Sequence, residues 1–252
     1  MKISIITAVL NGEESIGRTL RSVAVQDHSD IEHIVIDGKS DDRTLAVTSQ
    51  FPHVAKTISR LDGGVYEAFN TGLREASGEV VAFLNSGDSY ISEDIVRVVA
   101  ELFEDPSLDV VFGDLVMTRS AEDDSRVRSY TSYWFSPRSI RWGLMPPHPT
   151  MFVRRRIYQE TGGFDASYRI AGDFDFAIKL FLHRRARYRY VRRSMVRMPI
   201  GGISNRGIRS LLINSIELHR ALQSNLIAAS WFRILCRLPI KWLIGFQGER
   251  SR

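Results

Sequence analysis

Cysteine is almost absent: Cys236 is the only one in 252 residues. A single thiol excludes an intramolecular disulfide framework and any cysteine-built zinc cluster. No Gly-x-Gly-x-x-Gly follows the first apolar segment, which argues against a dinucleotide-binding Rossmann domain, and no Walker-type phosphate loop occurs. Long apolar runs are also missing. The opening segment, MKISIITAVLNGEES, turns polar at Asn11. It has neither the h-region nor the cleavage site of a signal peptide, so a cytoplasmic location is expected.

What remains is ordinary globular composition, 44% hydrophobic and 25% charged. The net charge is +5, with the excess placed late, at Arg154-Arg155-Arg156, in HRRARYRYVRR (183–193) and at the C-terminus. Basic clusters suit phosphates, nucleic acid or an anionic membrane surface, and equally a solvated face. Nucleic-acid binding would rest on charge alone. The only aromatic platform within a basic run, RYRYVRR, reads better as a strand, so no nucleic-acid partner is expected.

The first half alternates apolar strands with amphipathic helices. Strands are predicted at Ile3–Val9, Glu32–Ile36, Val80–Leu84 and Val110–Phe112. Helices are predicted over 13–25, from a Ser40 cap with Asp41 and Asp42 in its first turn, along Tyr66, Asn70 and Leu73 up to Gly78, and over 93–103. This alternation implies an α/β fold, a mostly parallel central sheet flanked by helices. Ligands of such sheets bind beyond the carboxyl ends of the strands, where Asn11, Asp37, Asp88 and Asp114 fall.

The second half is less regular. Residues 115–133 hold a charged stretch between strand-like ends, read as a hairpin or loop. Three prolines surround His148 in a rigid crossing, and GGFD (162–165) is a tight turn. A helix starts near Asp173, YRYVRR and MVRMPI read as strands, GGISNRG (201–207) is a candidate lid, and Ile208–Ile227 is an amphipathic helix. In the last segment Arg233, Arg237 and Lys241 recur every four residues as one basic stripe, with Trp231, Phe232, Leu235, Leu238 and Trp242 mostly off it. Three cations and Pro239 argue against a membrane span. The pattern fits a helix lying in a membrane interface, or one packed on its own core or on a partner subunit. An oligomer is compatible with the sequence.

Carboxylates at strand ends suit two tasks: holding a divalent cation that neutralises a diphosphate, and general-base catalysis on an incoming hydroxyl. Together they describe glycosyl transfer from a nucleotide-sugar. The segments SIITAVLNGEESIGRTLRSVAVQ, HIVIDGKSDDRT, RLDGGVYEAFNTGLREASGEVVAFLNSGD, HPTMFVRRRIYQETGGFD with AGDFDFAIKL, and GGISN resemble, in order and spacing, family 2 glycosyltransferases of the GT-A fold. The resemblance is to bacterial enzymes of exopolysaccharide, colanic-acid or glycolipid assembly.

The resemblance implies a GT-A domain over 1–207, a C-terminal helical appendage over 208–252, and inversion at the anomeric carbon. It implies a nucleotide-sugar donor, a glycan or lipid-linked acceptor, and Mg²⁺ or Mn²⁺. It assigns Ala8 to Glu13, including Asn11, to the nucleoside loop, with Ala8 and Leu10 where the usual Pro and Tyr stand. Asp37 faces the base and Asp62 lies near the nucleotide and diphosphate, with Tyr66 and Asn70 behind it. Asn85 and Ser86 open the metal motif, in which only Asp88 remains as a carboxylate, beside Gly87. Asp173 is the catalytic base, although Gly172 replaces the first acid of its pair. Asp175 is structural, with an arginine as its expected partner. His148 contacts donor phosphate or acceptor, and Arg206 the diphosphate. Two readings compete with an active transferase. One is a degenerate protein that binds nucleotide-sugar, or scaffolds a pathway, without catalysis. The other, a nucleotidyltransferase, is disfavoured by the acidic loop AVLNGEES.

Overall fold

The computed structural model describes residues 1–119, 126–200 and 207–247. Among the described residues nine strands form one sheet: β1 (Ile3–Val9), β2 (Ile31–Asp37), β3 (Val54–Ser59), β4 (Val80–Phe83), β5 (Ser89–Tyr90), β6 (Val110–Thr118), β7 (Arg126–Tyr130), β8 (Phe152–Arg154) and β9 (Tyr188–Pro199). Their order is β3-β2-β1-β4-β8-β6-β9-β5, with β7 paired to β6. The β3-β2-β1-β4 half is parallel. β8 runs antiparallel to both β4 and β6, while β6 and β9 are parallel.

The helices are α1 (Ile16–Ala24), α2 (Thr44–Thr48), α3 (Val65–Glu75), α4 (Ile95–Leu102), α5 (Arg155–Thr161), α6 (Gly172–Ile178), α7 (Gly207–Ser224) and α8 (Trp231–Gln247). Short 3-10 turns cover Pro137–Trp142 and His148–Thr150, and a π-helical turn, Lys179–His183, follows α6.

β1, β2 and β4 are almost wholly buried, as parallel strands covered on both faces should be; Ser4, Thr7, Glu32, His33 and Asp37 are the polar residues among them. One cluster, built on Ile6, Ile34, Phe69, Phe83 and Phe176, also takes Leu218, Ala221 and Leu222 of α7 and Ile234 of α8. The C-terminal helices therefore share the main core. A second cluster packs Ile3, Ile5 and Val80 on Ile95, Val96 and Val99 of α4.

Three expectations are corrected. The predicted cap Ser40 does not start a helix. Its hydroxyl is taken by Asp37 at 2.5 Å, and α2 begins only at Thr44, where Asp42 accepts the Thr44 N–H at 2.9 Å. Asp114 is not at a strand end, because β6 continues to Thr118 past an irregular register at 113–115. Its carboxylate faces the Ser132 N–H (2.8 Å) and the Tyr190 hydroxyl (3.0 Å). YRYVRR and MVRMPI are one continuous strand, β9.

Candidate active site

The carboxyl ends of β1, β2 and β4 carry most of the expected site. After β1 the chain turns at Asn11, with φ of 50°. The Asn11 side chain accepts the Asp41 N–H (3.0 Å), Glu13 accepts the Arg43 N–H (2.9 Å), and the Glu13 N–H reaches Asp42 (3.0 Å). Asn11 and Glu13 thus bind the loop after β1 to the loop after β2. Asp37, buried at the end of β2, accepts from Ser40 and from the Ser59 hydroxyl at 2.6 Å. A base N–H would share these oxygens.

Asp62 lies close by: a side chain at Gly38 would stand 3.4 Å from its Oδ2. Burial raises its pKa above the ordinary carboxylate value, with the negative charges of Glu67 and Asp37 adding to the effect. The amides at the start of α3 are committed to side chains: Gly64 N–H to Asp62 (3.1 Å) and Gly63 N–H to Glu67 (2.6 Å).

The turn after β4 is held from three sides. The Thr7 hydroxyl donates to the Leu84 carbonyl at 2.8 Å, so its proton is spent there. The His33 Nε2 beside it at 3.0 Å is then the donor, and His33 Nδ1 accepts from His53 Nε2 at 3.1 Å. Ser86 donates its N–H to the Ala8 carbonyl (3.3 Å) and pairs with Ser15 (2.8 Å). Thr19 of α1 accepts the Gly87 N–H (2.9 Å) and donates to the Asp88 carbonyl (2.7 Å). Gly87 has φ of 96°, a conformation that strains any side chain, which accounts for glycine where the family motif has an acid. Thr19 was not anticipated. Its signal was a polar residue on the apolar face of α1 that Ile16, Leu20 and Val23 define.

Asp88 is buried, and burial pushes its carboxyl up to about 8. The Asn85 Oδ1 is buried without a hydrogen-bond partner among the described residues. A buried carboxylate and an orphaned amide oxygen on one turn are hard donors, and they fit a divalent cation that takes its remaining ligands from a diphosphate and water. No group of three His, Cys, Asp or Glu able to hold a metal occurs among the described residues.

Asp173 lies in the first turn of α6. Its Oδ1 accepts the Phe174 N–H (2.8 Å) and sits 3.3 Å from the Tyr66 hydroxyl, which donates to the Ile170 carbonyl at 2.5 Å. A Cβ at Gly172 would come within 2.8 Å of the Tyr66 ring, so Tyr66 disfavours the first acid of the family pair. Asn70 clamps the GGFD turn, donating to the Phe164 carbonyl (2.7 Å) and accepting its N–H (2.9 Å). Asp175 pairs with Lys179 (2.8 Å) and accepts from Asn225 (2.7 Å), not from the expected arginine.

His148 lies in the aromatic core, with its ring stacked on Phe83 at 5.4 Å and beside Phe69 and Phe164. It is 7% exposed, its Nε2 has no partner among the described residues, and burial lowers its pKa to about 4. The GGISN segment and Arg206 fall in residues 201–206, outside the described residues. Among the described side chains, the expected basic stripe of α8 is not wholly solvent-facing. Arg237 is buried, reaching Ser215 at 3.0 Å, and Arg233 lies over the Trp142 ring. Trp231, Phe232 and Leu235 are exposed instead.

The chain is similar over 260 aligned residues to a PGL/p-HBAD biosynthesis glycosyltransferase of Mycobacterium bovis, with 28% identity and 98% of both chains covered. It is 34% identical to an uncharacterized glycosyltransferase of Mycobacterium tuberculosis over 71% of this chain and 69% of that one. Among solved structures it resembles S. aureus TarS 1-349 in complex with UDP-GlcNAc (TM-score 0.69, 20% identity, 88% of this chain and 73% of that one). It also resembles a mannosyltransferase from Pyrobaculum calidifontis in complex with GDP-Man and Mn²⁺ (TM-score 0.63, 18% identity, 96% and 68%). These likenesses carry the fold, GT-A. The model of Glycosyl transferase family 2 matches residues 4–163, and the chain belongs to that family.

Proposed function

We propose that the protein transfers a sugar from a nucleoside-diphosphate sugar to a hydroxyl of a glycan or lipid-linked acceptor, with inversion, in cell-surface polysaccharide or glycolipid synthesis. The site then works at the inner face of the cell membrane, on a peripheral protein. The observation that carries this reading is the gathering of Asp37, Asp62, Asn85 and Asp88 at the carboxyl ends of adjacent parallel strands, with Asp173 linked to α3 through Tyr66.

Asp37 and the Asn11–Glu13 loop hold the nucleoside end of the donor, with Ala8 and Ser86 beneath it. Asp88 and Asn85 hold Mg²⁺ or Mn²⁺, which when bound neutralises charge on the diphosphate leaving group. Asp173 takes the proton of the acceptor hydroxyl, on the sugar face opposite the diphosphate. That in-line geometry gives inversion. His148 underlies Phe83, the last residue of β4, and contributes to the site through that packing.

A screen of UDP-, GDP- and dTDP-sugars with and without Mn²⁺, read as release of nucleoside diphosphate, tests this reading. Turnover by the wild type should fall at least ~100-fold in Asp173→Asn and in excess chelator, with donor binding retained in the variant. Hydrolysis that persisted in both would remove the mechanism. A single carboxylate in the metal motif favours one other reading, a non-catalytic nucleotide-sugar-binding or scaffolding protein. Donor binding without turnover of any donor would establish it.

A further inference from the structure

Glu217 of α7 has no part in the reaction as proposed above. Its carboxylate accepts three successive peptide N–H groups: Arg169 at 2.9 Å on Oε1, and Ile170 at 2.8 Å and Ala171 at 2.9 Å on Oε2. These residues lead directly into α6, and Asp173 follows two positions later. The Ile170 carbonyl is held from the other side by the Tyr66 hydroxyl. One short segment is therefore pinned through its N–H groups by α7 and through a carbonyl by α3.

Eight residues on, Asn225 reaches from the end of α7 to Asp175 at 2.7 Å. Between them Leu218, Ala221 and Leu222 are buried in the core. One face of α7 thus grips the backbone before Asp173 and the side chain just after it.

We propose that Glu217 is a positioning residue: by clamping the 169–171 backbone it fixes the approach of the Asp173 carboxylate to the acceptor hydroxyl. The proposal rests on Asp173 being the base. A general base must stand within hydrogen-bond reach of the proton it removes, and small misplacements of such a group cost large factors in rate. The N–H groups of 169–171 belong to no strand ladder, so they need acceptors from elsewhere. A carboxylate supplies all three and fixes their direction, because charge-assisted bonds are the shorter and stronger ones. α7 is then part of the catalytic centre, although the matched family segment ends at residue 163.

The test uses the full chain and the nucleotide-sugar that the wild type hydrolyses. In Glu217→Ala, kcat should fall on the order of 100-fold, the donor KM should stay within about threefold, and the pH–rate profile should shift. Hydrogen exchange at 169–171 should accelerate while the β1, β2 and β4 amides keep their protection. Glu217→Gln retains an oxygen for the Ile170 and Ala171 N–H groups and loses the Arg169 bond, so its kcat should fall roughly tenfold.

Accelerated exchange at 169–171 with an unchanged kcat and pH profile would overturn the proposal. So would a loss of kcat matched by equal losses in donor affinity and thermal stability, which marks a purely structural contact. If Glu217→Ala does not fold, the Gln variant decides by the same criteria. Asp173→Asn separates this proposal from the reading beneath it: turnover retained there removes the base assignment, whatever Glu217 does.

Discussion

At His148 the surroundings decide the charge. The ring lies against Phe83, Phe69 and Phe164, and no described carboxylate bonds to it, so burial holds it neutral down to about pH 4. In the unfolded chain it titrates near pH 6.5. As pH falls, the unfolded chain takes the proton first. The stability that the neutral ring contributes is complete above pH 6.5 and is lost on the way down to about 4. Over that window the loss approaches about 3 kcal/mol, at 1.36 kcal/mol per pH unit. His33, which burial holds near 3, acts in the same direction, and the raised carboxyl of Asp88 acts against both. A difference measurement isolates His148. Between pH 7 and pH 4, wild type should lose about 3 kcal/mol more unfolding free energy than His148→Phe, measured by urea titration at each pH. Parallel pH dependences would mean the histidine is charged in the folded protein.

At the scale of elements, α1 reaches the β4 turn through Thr19. Thr19 bonds both the Gly87 N–H and the Asp88 carbonyl, and each is a backbone group that burial would leave unsatisfied. Thr19→Val keeps the shape of the helix face and removes both bonds. It should cost about 1–3 kcal/mol and lower donor turnover at saturating cation, checked by thermal melting and diphosphate release. An unchanged turnover would show that the turn keeps its conformation without the Thr19 bonds.

The elements that position this turn were legible in the sequence because β1, β2 and β4 are buried on both faces and each carries a core of β-branched and apolar residues, Ile34–Ile36 in β2. β3 was not legible. Its residues, VAKTIS, are mostly exposed on a sheet edge, so no apolar pattern marks them. β8, three residues long, is too short to show a period. Asp37, Asp88 and Asp173 could be picked out by motif, because their chemistry dictates residue type. Thr19 and Glu217 could not, because they act by bonding backbone, which leaves only a polar residue on an apolar helix face. The misreading of Ser40 has the same origin: its hydroxyl had a closer customer in Asp37 than any helix end.

Across the whole molecule, charge and apolar exposure are arranged differently from the expected basic stripe. No helix among the described residues is long and apolar enough to cross a membrane. On α8 Arg237 of the stripe is buried, which lowers its pKa to about 10, and Arg233 is half-buried over the Trp142 ring. Large apolar side chains reach solvent on both helices: Phe232 at 71% and Leu235 at 54% exposed on α8, and Leu212 at 57% and Ile216 at 58% on α7, with Leu226 in the turn between the helices; Arg209 and Arg220 of α7 are exposed as well. Exposed apolar side chains on both helices make this pair a candidate interaction surface. A peripheral transferase with a lipid-linked acceptor would rest this surface on the bilayer, driven by apolar burial more than by charge. Deleting 228–252 would also remove Ile234 and Arg237 from the interior, so surface substitutions are the cleaner probe. Leu212→Ser, Phe232→Ser and Leu235→Ser combined should lower sedimentation with phosphatidylglycerol–phosphatidylcholine vesicles at least tenfold, at roughly 1.5–3 kcal/mol per inserted side chain. Soluble donor turnover should stay within about twofold of wild type. Raising the salt should weaken vesicle binding less than the triple substitution does, because Arg237 is buried and three large apolar side chains supply the contact. Unchanged vesicle binding together with loss of a concentration-dependent oligomer would assign the surface to a second copy of the chain instead.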